Sequence, residues 1–174
     1  MNSKVFYGII AILVAGLIGF IVISGRNKPP AKTLGTQYPE EGSQHVADGT
    51  QVPYKTNPPT SGPMYGRDVP KGFYEQEVPD SSAVHSLEHG RVWITYRPDL
   101  PKDQAQKLKG LFSQPFSDPK FTPSKAIVSP RSMNSAPISI VSWRWKMDLQ
   151  SFDEQKLKQF YLQHVSRAPE GAAS

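Results

Sequence analysis

Residues 84–96 read VHSLEHG and then RVWITY, and the change of rhythm between the two halves decides how the chain folds. In the first half His85 and His89 stand four apart, with Glu88 between them and Gly90 directly behind. Asp80, Ser81 and Ser82 offer caps upstream, and glycine suits the residue just past a helix, so a short helix is predicted here. In the second half Val92, Ile94 and Tyr96 alternate with Arg91, Trp93 and Thr95, the period of a strand. Pro98 and Pro101 end it.

The helix is also the condition for any shared chemistry of the two histidines. On a helix their Cβ atoms lie roughly 5–6 Å apart, close enough for both imidazoles to reach one ion. On a strand their Cα atoms would be roughly 13 Å apart, too far for that. The string His85-Ser86-Leu87-Glu88-His89 also matches the H-x-x-E-H pattern of inverzincin peptidases. Those enzymes take a further carboxylate from a following helix, whereas a glycine and a strand follow here. Glu88 is better read as orienting an imidazole from outside the ligand set, or as one half of a surface ion pair. No nucleophile with a base, phosphate-binding loop or spaced pair of carboxylates stands out, so the reading is not enzymatic.

Downstream, Ala105, Leu108, Leu111 and Phe112 form the apolar stripe of a helix over 102–112. Residues 126–129 and 138–145 read as two more strands. Ser151 and Glu154 fit a capping box ahead of Leu157, Phe160, Tyr161 and Val165, with Pro169 stopping that last helix. His164, near its end, is expected to interact with the terminal carbonyls. Trp93, Trp143 and Trp145 fall on strands and read as core or interface rather than as a ligand platform. The order helix, strand, helix, strand, strand, helix gives an α+β domain with a small mixed sheet over 43–170, followed by a tail at 171–174.

Upstream, nine of the seventeen prolines fall between Pro29 and Pro79, with no helical period among them. This is an extended arm: a linker at 25–42, then packed loop and short strand around Val52, Tyr54 and Pro58–Gly66. Before it, after a short tail at 1–4, residues 5–24 carry no charge. As a helix they would rise roughly 30 Å, which predicts a single transmembrane span. Ala11, Ala15 and Gly19 recur every four residues along it, the spacing at which membrane helices approach one another.

The formal charge of +5 is not a nucleic-acid signal. Lys4, Arg26, Lys28 and Lys32 border the apolar run, and without them sixteen basic residues face fifteen acidic ones. The absence of cysteine excludes disulfides, thiolate ligands and thiol catalysis. A metal would have to be held by imidazole, carboxylate, thioether or backbone oxygen.

The segments Gln44-His45-Val46, Pro58–Pro63, Gly72-Phe73-Tyr74, Val84–Gly90, Trp143, Phe152-Asp153-Glu154 and Ala168-Pro169-Glu170 together resemble the bacterial family known as domain of unknown function 3105. The resemblance covers roughly residues 40–170. It implies a single-span or secreted protein facing away from the cytoplasm, with no established activity. That placement overrides the charges flanking the span, which by the positive-inside rule would put the C-terminal side in the cytoplasm. The family's proline-glycine motif ends in histidine where this chain has Met64, so the resemblance suggests a ligand cluster of His45, Met64, His85 and His89. A thioether favours copper, especially Cu(I), over zinc.

Two functions are therefore expected. One is a copper-type metal-binding domain anchored in the bacterial cytoplasmic membrane, its C-terminal part in the periplasm or another extracytoplasmic space. The other is an accessory subunit of a larger membrane complex, its partners the bilayer and other membrane subunits, docked through its span and proline-rich arm.

Overall fold

Val92, Ile94 and Tyr96 on one side of their strand, and Trp93 and Thr95 on the other, are all buried. A strand of that kind needs cover on both faces. The computed structural model, which describes residues 2–26 and 32–171, shows what supplies it.

The chain forms α1 (Ser3–Arg26), β1 (Thr36–Gln37), β2 (His45–Val46), β3 (Met64–Tyr65), β4 (Gly72–Phe73), α2 (Asp80–Glu88) and β5 (Val92–Tyr96). It continues through α3 (Lys102–Phe112), β6 (Ala126–Pro130), β7 (Ile138–Ser142), β8 (Trp145–Leu149) and α4 (Glu154–His164). Six strands make one mixed sheet in the order β1-β8-β7-β5-β6-β4. β4, β6 and β5 run parallel to one another, while β7 and β8 are antiparallel to their neighbours. The two remaining strands, β2 and β3, form a separate parallel pair. The domain is α+β.

Each sheet face has its own core. Val92 and Ile94 pack in one cluster with Leu108 and Leu111 of α3 and Leu157 and Phe160 of α4. Trp93 packs in the other with Ala83, Val84 and Leu87 of α2, Ile127, Val141 and Met64. Full burial of a side chain such as Leu87 or Phe160 contributes about 1.5–3 kcal/mol, so the two clusters dominate the stability. Trp93 donates its indole N–H to Ser129 Oγ at 2.9 Å, and Thr95 bonds the Asn134 side chain, so the polar atoms within this strand are also satisfied.

Several expectations are corrected in detail. The strand expected over 138–145 is the hairpin β7–β8, because Arg144 adopts φ 65° and turns the chain between Ser142 and Trp145. No glycine or Asn-Gly pair marks that turn. The cap of α4 is Asp153, accepting from the Lys156 amide, rather than Ser151, and the helix ends at His164, before Pro169. Asp80 does not cap α2: Pro79 holds the cap position, and the Asp80 carboxylate takes two hydrogen bonds from the buried Arg131 guanidinium, at 2.8 and 2.7 Å. Leaving that guanidinium unpaired would cost several kcal/mol, which commits Asp80 to it.

The transmembrane expectation is also corrected. α1 forms over Ser3–Arg26. Among the described residues no helix is long and apolar enough to cross a membrane. The single-pass anchor, and the cytoplasmic-membrane location built on it, are therefore not supported. The packing role read for Ala11 falls outside the described side chains, Ala15 is exposed, and nothing lies within 4 Å of a Cβ built on Gly19.

The chain divides into two units, Met1–Lys32 and Thr33–Ser174. The second thus takes in residues 33–42, which read as linker, because β1 pairs with β8 and Leu34 is held by α4. Leu34 donates its amide to Gln163 and accepts from His164 Nε2 at 2.9 Å. His164 therefore serves the start of the domain rather than the end of its own helix.

His164 lies against Trp145 and Phe160, with ring centroids 4.7 and 4.3 Å away. Burial lowers its pKa below the usual imidazole value, with Arg167 adding to this against the pull of the Leu34 carbonyl. Below about pH 6.5 the unfolded chain then binds more protons than the folded one. Stability is complete above that pH and falls as pH drops through it. Urea denaturation of the full chain at stepped pH should show this loss, and His164→Phe should flatten part of the acid slope. The same variant lowers stability at neutral pH by about 1 kcal/mol, through the unpaired Leu34 carbonyl. An acid slope identical in the variant would contradict this role.

Candidate metal centre

The site is built where α2 meets the arm. Ser86 is fully buried and ties the arm to the helix: its Oγ accepts from the Val69 amide at 2.7 Å and donates to the Val69 carbonyl at 3.0 Å. Tyr54 does the same for Pro58–Gly66, its hydroxyl meeting the Pro63 carbonyl at 2.6 Å and Ser81 Oγ at 3.0 Å. Burial pushes the Tyr54 phenol up to about 12, so it stays protonated and able to donate. Held in this way, β3 and its partner β2 lie beside α2, with His45 opposite Met64 in register.

His85 and Glu88 project from α2 one turn apart, and His45 comes from β2. One ligand atom from each of these three lies within 4.8 Å of the other two. Ligands at ~2.0–2.1 Å around a tetrahedral ion stand ~3.3 Å apart, so modest side-chain rotation closes the set. His85 and Glu88 are buried and His45 is exposed, which leaves one side of the cluster open to solvent.

His85 Nδ1 is buried and has no hydrogen-bond partner. Its other nitrogen, Nε2, stands 3.0 Å from His89 Nε2. Burial pushes the His85 imidazole below its usual range, and the His89 and His45 rings, with centroids 4.7 and 4.9 Å away, add to the effect. The Tyr65 backbone and Asp68 pull the other way without reversing the shift. The ring is therefore neutral at pH 7 and offers a lone pair. Close by, burial pushes the Asp68 carboxyl up, yet the Arg91 guanidinium, by hydrogen bond and charge, takes it below the usual carboxylate range.

The residues marked in the sequence thus have different fates. His45 and His85 converge, and a Glu88 oxygen lies within 4.8 Å of a ring nitrogen of each. His89 caps α2, faces His85, and has its Nδ1 3.2 Å from Glu170 Oε2. Met64 has no exposed surface and packs with Val84, Leu87 and Trp93. Asp68, Arg91 and Glu170 were not singled out for a role at the site. Only Glu170 carried a signal, as the end of the Ala168-Pro169-Glu170 segment. A groove of ≈ 460 Å³ opens nearby, lined by Tyr65, Asp68, Tyr74 and Ser82 among others, but none of the three convergent residues lines it.

The model of a family described as a protein of unknown function, DUF3105, matches residues 45–174. The chain belongs to the DUF3105 family. The match begins at His45 and takes in β2 and β3, α2 and the Glu170 turn, so every residue of the cluster lies within the family region. No curated protein and no solved structure matches the chain.

The packing of Met64 has a direct test. Met64→Leu keeps the volume and should lower the unfolding free energy by less than about 1.5 kcal/mol, whereas Met64→Ala should lower it by about 2–5 kcal/mol. Urea denaturation checks both. Comparable losses in the two variants would contradict a packing role.

Proposed function

We propose that the domain beginning at Thr33 is a transition-metal-binding module whose ion is held by His45, His85 and Glu88. The observation that carries this reading is a convergent set of one ligand atom each from His45, His85 and Glu88, and His85 also holds a buried Nδ1 with no hydrogen-bond partner. Burying an unsatisfied polar atom has a free-energy cost that folding normally avoids, and an ion removes it. The carboxylate also offsets part of the charge that a divalent ion would bring.

Two imidazole nitrogens and a carboxylate oxygen suit divalent first-row ions such as Zn²⁺, Co²⁺ or Cu²⁺. The case for Cu(I) rested on the thioether of Met64, and that side chain is part of the apolar core. Three protein ligands leave a fourth position, and the exposure of His45 puts it on the solvent side. Water or an outside ligand can take that place.

Titration of the full chain with Zn²⁺ or Co²⁺ should show one ion bound with a dissociation constant of about 1 μM or below. An ion at a hundredfold excess over that constant should raise the unfolding free energy by about 2.7 kcal/mol. His45→Ala, at an exposed position, and the isosteric Glu88→Gln should each weaken binding at least about tenfold. No uptake by the wild-type chain, or equal affinity in both variants, would overturn the proposal.

A further inference from the structure

We infer that the domain has a second site, a pocket for the carboxylate or phosphate group of a small anion, between the β7–β8 turn and the chain after α4. It shares no residue with the cluster of His45, His85 and Glu88 and does not depend on it. A cavity of ≈ 360 Å³ opens there. Trp143, Arg144 and Trp145 line it from the hairpin, Arg167 and Pro169 from the segment that follows α4.

The guanidinium of Arg144 is placed by its backbone. Three hydrogen bonds to the proline-rich arm hold this residue at φ 65°. Its amide donates to the Thr60 carbonyl at 2.8 Å, its carbonyl accepts from the Tyr38 amide at 2.8 Å, and its Nε donates to the Tyr38 carbonyl at 3.1 Å. Its two Nη nitrogens have no partner among the described residues. Ser166, directly before Arg167, is the other non-glycine residue at positive φ among the described residues, at 60°. Such conformations have a free-energy cost and concentrate where a site needs a fixed geometry. Here each falls at or beside an arginine of one cavity.

The charges of that cavity are not balanced from within. Arg167 is exposed and, among the described residues, forms no ion pair. Glu40 is the one acidic residue of the lining; it too is exposed and pairs with neither arginine. Trp143 is 4% exposed, and its indole N–H, which can only donate, is buried without an acceptor. The lining therefore has an excess of donors and of positive charge. A guanidinium presents its N–H groups as a planar fork that matches the oxygens of a carboxylate or a phosphate, and two forks share this cavity.

NMR titration of the full chain without added metal, at constant ionic strength, tests the pocket with inorganic phosphate in one arm and acetate in the other. The indole N–H signals of Trp143 and Trp145 should shift and saturate in at least one arm, with a dissociation constant of about 1 mM or below. Trp93 lies in the core away from this lining, and its signal should stay in place. The arm that saturates at lower concentration identifies the group the pocket takes. Arg167→Ala removes an exposed side chain, keeps its amide bond to the His164 carbonyl, and should weaken binding at least about tenfold. Arg144→Gly should do the same, since glycine suits the φ at that position. Lys107→Ala removes the same charge from α3, outside the cavity, and should leave the affinity unchanged. Weaker binding than about 1 mM in both arms, or an equal loss in Lys107→Ala and Arg167→Ala, would overturn the inference.

Discussion

Three segments of backbone meet at Gly90, and the rest of the domain depends on that crossing. Gly90 has φ +78°, a conformation in which a side chain is strained. A Cβ there would stand 2.7 Å from the Cα of Ser166 and 2.9 Å from that of Gly171. The Gly90 amide closes α2 on the Leu87 carbonyl, and its own carbonyl accepts from Ser166. One residue thus ends the helix, starts the central strand and seats the turn after α4. Without that close approach, Glu170 could not reach the end of α2.

The site joins local and distant contributions in a consistent way. Helix geometry alone puts His85 one turn from both Glu88 and His89. Everything else comes from far along the chain: His45 from the arm, Asp68 and Val69 from the loop before β4, and Glu170 from the C-terminal turn. Each distant contribution is fixed by hydrogen bonds, through Ser86, Tyr54 and the Glu88 carbonyl. A polar cluster held from several sides can keep a buried nitrogen unpaired, whereas a flexible one would rotate to satisfy it. On the proposed reading, that rigidity is what would let His85 serve as a ligand rather than as a packing residue.

Much of this was legible from local pattern. The alternation at 92–96, the stripe at 102–112 and the glycine behind His89 placed β5, α3 and the end of α2. The hairpin at Arg144 was not legible, because its positive φ falls on a residue that gives no turn signal. Asp80 and His164 were misread for a common reason. Both have plausible local partners at a helix end, and both are taken by distant ones, Arg131 and Leu34. Met64 looked like a ligand when set beside the histidine of the family motif. Its packing against Leu87 and Trp93 could not be seen before α2 and β3 were placed together.

The central claim is that His45, His85 and Glu88 hold one ion between them. X-ray diffraction from crystals of the full chain grown with Zn²⁺, recorded on both sides of the zinc absorption edge, locates the ion directly. The account predicts a single strong anomalous peak bonded to one nitrogen each of His45 and His85 and to a Glu88 oxygen, each at about 2.0–2.2 Å. A peak bridging His85 Nε2 and His89 Nε2, or a cluster with no peak at all, would contradict it.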